Sequence, residues 1–268
     1  SVATPSLVWS TPAISLNSPN AAQDNHSTSI GMNKILLNAD LGEWESSTTR
    51  AAIFPHLDLV NIACGGHAGS LELMNECAEL AEKFGVKTGA HPGVSSDQGR
   101  AEVDMSAHEF TELVAKQLET YQRSHLELNH LKLHGSLYHL SERDSNVRKA
   151  LLKIAETNEL LVIGLAGGKV DELFAAAGLP FLAEAFLDRN YLANGNLVPR
   201  TSPDALLCSP QDQRQRVIAI REGQAIRSLD NQPVEIKAET ICIHADHPGS
   251  AELAEEARNW LELGESAR

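Results

Sequence analysis

The stretch NIACGGHAGSLELMNECAELAEKFGVKTGAHPG, residues 61–93, reads as one strand–helix–strand unit. Its first apolar run ends at a glycine-rich turn that contains His67, and residues 70–84 show the apolar period of an amphipathic helix. Gly85 follows that helix, and a second β-like run, residues 85–93, ends around His91. A helix between two such runs is typical of parallel strands.

The same alternation continues along most of the chain. β-like runs occupy residues 34–42, 58–66, 85–93, 129–137, 160–168, 182–190 and 239–247. Amphipathic helical segments occupy residues 70–84, 106–128, 144–158, 168–177 and 250–263. Ser106 and Glu109 form a capping box, and Gly178 is placed to end the fourth helix. The pattern predicts an α/β fold in which helices cover a parallel sheet.

Residues 191–238 interrupt this alternation. They are rich in turn-forming residues, with a helical pattern at 211–223 and a β-like run at 233–239. We expect an excursion or a small subdomain before the last strand.

The composition is that of a globular protein with an acidic surface. The formal net charge is -14, which disfavours nucleic acid and anionic lipid as partners, although a cleft can carry the opposite sign. The four cysteines show no paired spacing, which favours reduced thiols and a cytoplasmic location. No apolar run reaches the length of a membrane span.

The first 31 residues differ from the rest of the chain. They are rich in Ser, Asn, Pro, Thr and Ala, and Asp24 is their only charged side chain. This composition predicts a disordered N-terminal extension, residues 1–31, before a single domain at residues 32–268.

Ionisable side chains follow the apolar core of six of the seven β-like runs. In a parallel barrel all strand carboxyl ends open at one mouth, so we expect these groups to converge there. They are Asp40, Glu43, His67, His91, Lys132, His134, Asp188, Arg189, His244 and Asp246.

Each of these residues also has a simpler interpretation. A single histidine after a strand is usually a turn or core residue, Asp40 could cap a turn, and His244 with Asp246 could form a loop ion pair. Cys64 is more readily explained by packing than by nucleophilic chemistry. Four further histidines, His108, His125, His130 and His139, are interpreted as surface or interhelix residues.

Six ordered motifs make the chain resemble the LamB/YcsF family, also known as the A subunits of 5-oxoprolinase. They are NADLGE (38–43), NIACGGHAG (61–69), GAHPG (89–93), LKLHGSLY (131–138), FLDRNY with NGNLVPR (186–200) and CIHADHPGSA (242–251). The resemblance implies a seven-stranded, TIM-barrel-like parallel barrel of the glycoside hydrolase/deacetylase type. It also implies ATP-dependent opening of 5-oxo-L-proline to L-glutamate together with 5-oxoprolinase subunits B and C.

Within that resemblance, the chemistry suggests a division of labour. The sequence has no G-x-x-x-x-G-K-[ST] phosphate loop, so ATP is expected to be used by the complex rather than bound here. Asp40 is the expected general base, His67 and His91 would position water or substrate, and His134 with His244 and Asp246 would supply the acid. The expected substrate-binding residues are Glu43, Arg100, Lys132, Asp188 and Arg189.

Two other classes of function remain open at this point. In the first, a metal-dependent deacetylase-like hydrolase of a carbohydrate or small amide, Asp40, His67 and His134 would hold Zn²⁺ or a related ion. In the second, the chain is a non-catalytic scaffold for its partners. The family segment GFGRR is reduced here to QGRAE, which keeps Arg100 and mildly favours the scaffold.

Overall fold

The computed structural model describes residues 34–246 and 248–263. The expected disordered extension, residues 1–31, lies outside the described residues. The domain boundary at Met32 therefore stays a prediction.

Strands and helices alternate in the described chain. The strands are β1 (Leu36–Leu41), β2 (Leu59–Ala63), β3 (Lys87–His91), β4 (His130–Lys132), β5 (Leu161–Leu165), β6 (Phe181–Phe186), β7 (Ile226–Arg227), β8 (Pro233–Val234) and β9 (Thr240–His244). The helices are α1 (Ser47–Ile53), α2 (Leu71–Phe84), α3 (Ala107–Tyr121), α4 (Gly135–Arg143), α5 (Ser145–Asn158), α6 (Lys169–Ala177), α7 (Pro210–Arg221) and α8 (Ser250–Glu262).

Seven of these strands close into a parallel barrel in the order β1-β2-β3-β4-β5-β6-β9, with β9 pairing back to β1. The predicted TIM-barrel-like fold is thus confirmed, and each barrel strand overlaps one predicted run. The capping box at Ser106 and the left-handed glycines Gly85 and Gly178 that end α2 and α6 are also present.

Three details of the expected pattern were wrong. The run 129–137 is a strand only over β4, because helix α4 begins at Gly135, immediately after the N-cap residue His134. Helix α1 has no counterpart in the predicted pattern. Helix α3 ends at Tyr121 rather than at residue 128; the Tyr121 hydroxyl donates to the carbonyl of Glu127, where the chain has turned back.

The excursion at residues 191–238 is confirmed as a break in the alternation. It contains α7 and a two-stranded antiparallel sheet of β7 and β8. Isolated bridges from Arg189 to Leu206 and from Tyr191 to Leu197 fold its first part back on itself, beside the end of β6.

Alternation along the strands sorts side chains into two regions. In β1, Leu37, Ala39 and Leu41 are fully buried in the large core that includes helix residues. Asn38 and Asp40 alternate with them and therefore project to the inside of the barrel. Every strand of a parallel barrel is covered on both faces, so polar residues inside it need partners from other strands.

The end of the barrel opposite the strand carboxyl ends is filled with apolar side chains. Leu59, Ile163 and Leu182 form a separate buried cluster, against which Leu36 and Leu161 pack. We call these five residues the apolar plug. Each fully buried leucine contributes about 1.5–3 kcal/mol relative to its exposed state.

The glycine-rich turn after β2 is required by close packing. Gly69 has a φ of +91°, and a Cβ atom there would lie 2.2 Å from the carbonyl oxygen of Ala63. The turn leads directly into α2, whose N-cap Ser70 accepts a hydrogen bond from the amide of Leu73. None of the helices in the described ranges is both long and apolar enough to cross a membrane.

Candidate active site

Asp40 lies at the carboxyl end of β1, inside the barrel. Its Oδ1 accepts hydrogen bonds from Lys132 Nζ at 2.9 Å and from Asn61 Nδ2 at 2.8 Å, and its Oδ2 is 3.3 Å from His91 Nε2. Burial alone would raise its pKa, but His91 and Lys132 outweigh burial and hold the pKa of Asp40 well below its usual value. Asp40 is therefore ionised at neutral pH.

Lys132 is the buried counterion of this region. Its ammonium group is 2.8 Å from Glu184 Oε1 and 3.1 Å from Cys242 Sγ, in addition to Asp40. Burial disfavours the charged amine, yet the nearby carboxylates of Asp40 and Glu184 keep the pKa of Lys132 well above its usual value. The barrel thus holds a fixed positive charge beside Asp40.

Glu43 is surrounded by three imidazoles. Its Oε1 is 2.8 Å from His67 Nε2, 3.1 Å from His134 Nδ1 and 3.7 Å from His91 Nε2. Burial opposes ionisation, but the contacts with His134 and His67 lower the pKa of Glu43 far below its usual value. We call Glu43, His67, His91 and His134 the histidine cluster; one ligand atom from each lies within 4.8 Å of the others.

Backbone carbonyls fix the orientation of two of these rings. His91 Nδ1 is 2.8 Å from the carbonyl oxygen of Lys132, and His134 Nε2 is 2.9 Å from that of Gln98, so each of these nitrogens must carry the proton. Their other nitrogens, His91 Nε2 and His134 Nδ1, are 3.0 Å apart. In two neutral rings these would be facing lone pairs, so this position requires a proton or another cation.

The electrostatics place such a proton on His91. Burial acts against it, but Asp40 raises the pKa of His91. Burial lowers the pKa of His134, and it lowers the pKa of His67 to about 4. A proton on His91 Nε2 can then be donated to His134 Nδ1, which accepts it as part of a neutral ring.

His67 completes the cluster from the turn after β2. Its ring stacks on that of His134 with centroids 3.6 Å apart, and the exposed Trp44 contacts both rings edge-on. Its Nδ1 is buried and has no hydrogen-bond partner within residues 34–246 and 248–263. The cluster is thus closed off from solvent on one side by an aromatic ring.

A second pair of groups lies at the ends of β6 and β9. His244 Nδ1 is 2.8 and 2.9 Å from the two carboxylate oxygens of Asp188, which fixes the ring and leaves Nε2 for other contacts. Asp246 forms a close ion pair with Arg100 and a longer one, 3.7 Å, with Arg200.

These groups adjoin a cavity of about 390 Å³ at the mouth of the barrel. Six of the residues predicted for the site line it: Asp40, Arg100, Lys132, His134, Arg189 and His244. The predicted residues Glu43, His67 and His91 lie behind His134, and Asp188 and Asp246 support His244 and Arg100. The structure therefore brings all the predicted residues to one end of the barrel.

Some functional candidates were missed because only strand ends were considered. Glu184, Asn38 and Asn61 are buried in the strands themselves, and Arg200 lies in the excursion. The signal available was the two-residue spacing of Asn38 with Asp40, which places both side chains on the same side of β1.

One of the four histidines set aside was misplaced by that interpretation. His130 is fully buried in β4, where its Nε2 donates to Asn61 Oδ1 at 2.8 Å. His108, His125 and His139 are exposed, as expected, and His139 also lines the cavity. Cys64 is fully buried and burial raises its pKa to about 12, which agrees with a packing role.

The comparisons with known proteins agree with one another. The model of the LamB/YcsF family matches residues 35–267. The 5-oxoprolinase A subunit of Limosilactobacillus fermentum is 35% identical over 237 residues, which cover 85% of this chain and 95% of that protein. The protein of the same name from Chloroflexus aggregans is 36% identical over 242 residues, covering 86% and 96%.

A solved structure shows the same relationship. The crystal structure of the lactam utilization protein from Thermus thermophilus superposes with a TM-score of 0.75 at 33% identity. The match covers 87% of this chain and 97% of that one.

Proposed function

The chain belongs to the LamB/YcsF family, and from that premise we propose that it is the ring-opening subunit of an ATP-dependent 5-oxoprolinase. Its substrate is then 5-oxo-L-proline and its product L-glutamate. 5-Oxoprolinase subunits B and C would use ATP to activate the lactam, since this sequence carries no phosphate loop of its own.

The observation that carries this proposal is the juxtaposition of Asp40, Lys132 and His244 on one cavity. An ionised carboxylate, a fixed cation and an oriented imidazole are the groups that addition of water to an amide carbon requires. The names of the relatives, which refer to 5-oxoprolinase and to lactam utilization, point to the same class of amide.

Asp40 is the proposed acceptor of the proton from water. Its low pKa makes it a weak base, which suffices if the lactam has already been activated by the partner subunits. Lys132, 2.9 Å from Asp40, would stabilise negative charge that develops on the substrate.

His244 is the proposed donor of a proton to the leaving nitrogen. Asp188 holds its Nδ1, so Nε2 is the ring nitrogen available to the cavity that His244 lines. His134 is less suited to this step, because Gln98 and the histidine cluster engage both of its nitrogens. It remains a proposed positioning residue together with His67 and His91.

Reconstitution tests the proposal. The chain, subunits B and C, 5-oxo-L-proline and ATP are combined and glutamate is measured by chromatography, with each component omitted in turn. We expect glutamate only in the complete mixture. Glutamate formed at the same rate without this chain would contradict the proposal.

A variant separates catalysis from a scaffold role. Asp40→Asn is expected to lower turnover by about 10²–10⁴-fold while the complex still assembles. Asp230→Asn, which changes an exposed carboxylate on the excursion, is the matched control and should retain full turnover. Unchanged turnover in Asp40→Asn would favour a scaffold.

The second candidate is a metal-dependent hydrolase, and the histidine cluster favours it. The cluster contains the expected His67 and His134, but Glu43 and His91 take the place of the expected Asp40. The separations of 2.8–3.7 Å between Glu43 Oε1 and the three imidazole nitrogens resemble the edges of a zinc tetrahedron, about 3.3 Å for bonds near 2.0 Å. Carbonyls that hold the outer nitrogens of His91 and His134 are the usual second layer around such an ion. A divalent ion there would supply Lewis acidity.

Metal binding is testable without an assay of activity. We would measure Zn²⁺ content after dialysis and the visible spectrum of the Co²⁺-loaded protein. Glu43→Gln and His67→Asn should reduce both, whereas His108→Asn, which changes an exposed histidine on α3, should not. Equal metal content in all variants would exclude the cluster as the binding site.

A further inference from the structure

Helix α3 buries an amide side chain, that of Gln117, among apolar residues. Phe110, Val114, Leu118 and Tyr121 are the other residues that this helix buries. Gln117 is 7% exposed and is not among the described residues that line the cavity. A buried amide costs free energy unless its donor and acceptor are both paired, so the partners of Gln117 explain its presence.

Both partners of this side chain belong to Gly93, in the turn that follows β3. The backbone N–H of Gly93 donates to Gln117 Oε1 at 3.0 Å, and Gln117 Nε2 donates to the carbonyl oxygen of Gly93 at 2.8 Å. Only one orientation of the side chain allows both bonds, because the reversed one would place donor against donor and acceptor against acceptor. Gln117 thus holds Gly93 by both of its backbone polar groups.

The turn that Gln117 holds connects three residues of the histidine cluster. His91 comes two residues before Gly93, and the carbonyl oxygen of Pro92 accepts a hydrogen bond from the backbone N–H of His134 at 2.8 Å. A Cβ atom at Gly93 would lie 2.4 Å from Nδ1 of His67 and 3.0 Å from Cβ of His134, so Gly93 packs directly against both residues. A shift of Gly93 would therefore be transmitted to all three histidines.

The turn after β2, which carries His67, packs on the same side chain. A Cβ atom at Gly66 would lie 2.2 Å from Gln117 Oε1 and 2.1 Å from the carbonyl oxygen of Gly93. Cys64 Sγ, earlier in the same turn, is 3.8 Å from Gln117 Oε1. Gln117 therefore fixes the turn of His67 and the turn of His91 relative to each other.

Placement matters in the histidine cluster because its contacts are short. Glu43 Oε1 lies 2.8–3.7 Å from three imidazole nitrogens, and the rings of His67 and His134 stack with centroids 3.6 Å apart. Groups that act together in a site have to be held within about 0.5 Å of their working positions. An aliphatic side chain at position 117 could fill the same volume, but it would leave the N–H and the carbonyl of the buried Gly93 unpaired.

We infer that Gln117 is a positioning residue for the histidine cluster, although it lies on a helix outside the barrel. Its two hydrogen bonds with Gly93 fix the turns that carry His67 and His91, and through Pro92 they fix the start of α4 at His134. The inference rests on the proposed function only for the step that these rings perform, which is to position water or substrate.

The nitrogen resonances of the histidine rings report this placement, because they depend on the hydrogen bonds that each ring makes. We would record proton–nitrogen correlation spectra of the full chain labelled in histidine, at neutral pH and without added metal. Each ring signal is assigned from the spectrum of a variant in which that histidine is replaced by asparagine. Gln117→Leu is expected to move the three ring signals of the histidine cluster, while those of the exposed His108 and His125 stay in place.

Leu118→Ala is the matched control, because it removes buried apolar volume from the neighbouring position of the same helix. It should lower the midpoint of urea denaturation but leave the three ring signals in place. Gln117→Asn is the second variant, for the case that Gln117→Leu does not fold. It keeps the amide but is one methylene too short to reach both polar groups of Gly93, so it should move the same signals.

Unmoved cluster signals in a folded Gln117 variant would overturn the inference. Equal movement in Leu118→Ala would do the same, because any loss of packing in α3 would then have the effect assigned to the hydrogen bonds.

Turnover supplies a second readout. In the reconstituted complex, Gln117→Leu should lower kcat per folded protein by about 10–100-fold, as the loss of a residue that orients functional groups usually does. Leu118→Ala should retain kcat, because a purely structural change alters the folded fraction and not the turnover of the folded protein. Full turnover by folded Gln117→Leu would contradict the positioning role.

The ring spectra and the reconstitution assay can fail independently. The spectra need neither ATP nor the partner subunits. If the unaltered chain forms no glutamate but its ring signals depend on Gln117, the proposed function is removed and the positioning role stands. If glutamate forms but the ring signals do not depend on Gln117, the positioning role is removed and the proposed function stands.

Discussion

The Nε2 atom of His91 lies 3.0 Å from the Nδ1 atom of His134, and in each ring the other nitrogen donates a hydrogen bond to a backbone carbonyl. Neither ring can rotate to relieve this contact without losing a buried hydrogen bond. The two carboxylates nearby, Asp40 and Glu43, make a positive charge at this position favourable. The barrel mouth is thus arranged to hold a cation, whether a proton or a metal ion, between two fixed rings.

Glu43→Gln tests how much the shared carboxylate contributes to this arrangement. Three imidazoles surround one of its oxygens, so we expect the free energy of unfolding to fall by about 1.5–3 kcal/mol, the usual contribution of hydrogen bonds to a charged group. Urea denaturation measures it. Glu79→Gln, an exposed change on α2, should have little effect. Equal stability of the two variants would mean that Glu43 does not hold the rings.

Lys132→Met should be strongly destabilising, by about 3–5 kcal/mol, because it leaves the buried carboxylates of Asp40 and Glu184 without their cation. Adding Glu184→Gln to that variant removes one of the two uncompensated charges. We therefore expect the double variant to be more stable than Lys132→Met alone in urea denaturation. Additive losses would show that the ion pair is not coupled.

Gly89 in β3 makes room for the ring of His130. A Cβ atom at Gly89 would lie 2.2 Å from the ring, so Gly89→Ala should cost about 1–3 kcal/mol of stability. In a His130→Ala background the same change should cost close to nothing, which thermal denaturation can measure. Gly178→Ala, where the space is open, should cost the same in both backgrounds. A cost at Gly89 that does not depend on His130 would refute the steric explanation.

Asp58 stabilises the closed end of the barrel in a pH-dependent way. Its carboxylate accepts from the amide of Leu37 and pairs with Arg258 at 2.6 Å and Lys34 at 3.1 Å. Burial would raise its pKa, but these partners, Arg258 foremost, lower it. Its contribution is therefore present at neutral pH and is lost as the pH falls below about 4, through the lowered pKa of the folded state.

Asp58→Asn should accordingly lower the free energy of unfolding at pH 7 by about 1–2 kcal/mol, a value reduced by partial solvent screening. The difference from the unaltered protein should shrink as the pH falls from 7 toward about 3, because protonation of Asp58, first in the unfolded chain and then in the folded one, removes its contribution. Urea denaturation at both pH values measures it, with Asp230→Asn as control. A difference that grows on acidification would reverse the assigned sign.

The sequence was sufficient to predict the barrel, because its apolar runs and its amphipathic helical segments are both clear. Alternating apolar runs and amphipathic helices located every barrel strand, and the polar residues after those runs met at one mouth. Helix α4 was missed because KLHGSLY contains both a strand and the start of a helix within seven residues. Local pattern cannot place that boundary, which depends on where the barrel ends.

The buried polar interior was harder to predict. The roles of His130 and Glu184 depend on partners on other strands, Asn61 and Lys132 respectively. The register in which strands pair cannot be read from one sequence. Arg200 was overlooked for a related reason. It reaches the cavity only because the excursion folds back beside β6, a tertiary event without a local signal.

Within the part of the chain that the structure describes, the apolar plug fills the end of the barrel opposite the mouth. Because Leu59, Ile163 and Leu182 fill the far end of the barrel, a compound that enters at the mouth must also leave by it. Any protein that hands material to this chamber therefore occupies the exit as well. Binding of the donor protein and release of the product therefore cannot occur at the same time, so a donor that dissociates slowly would lower the turnover rate.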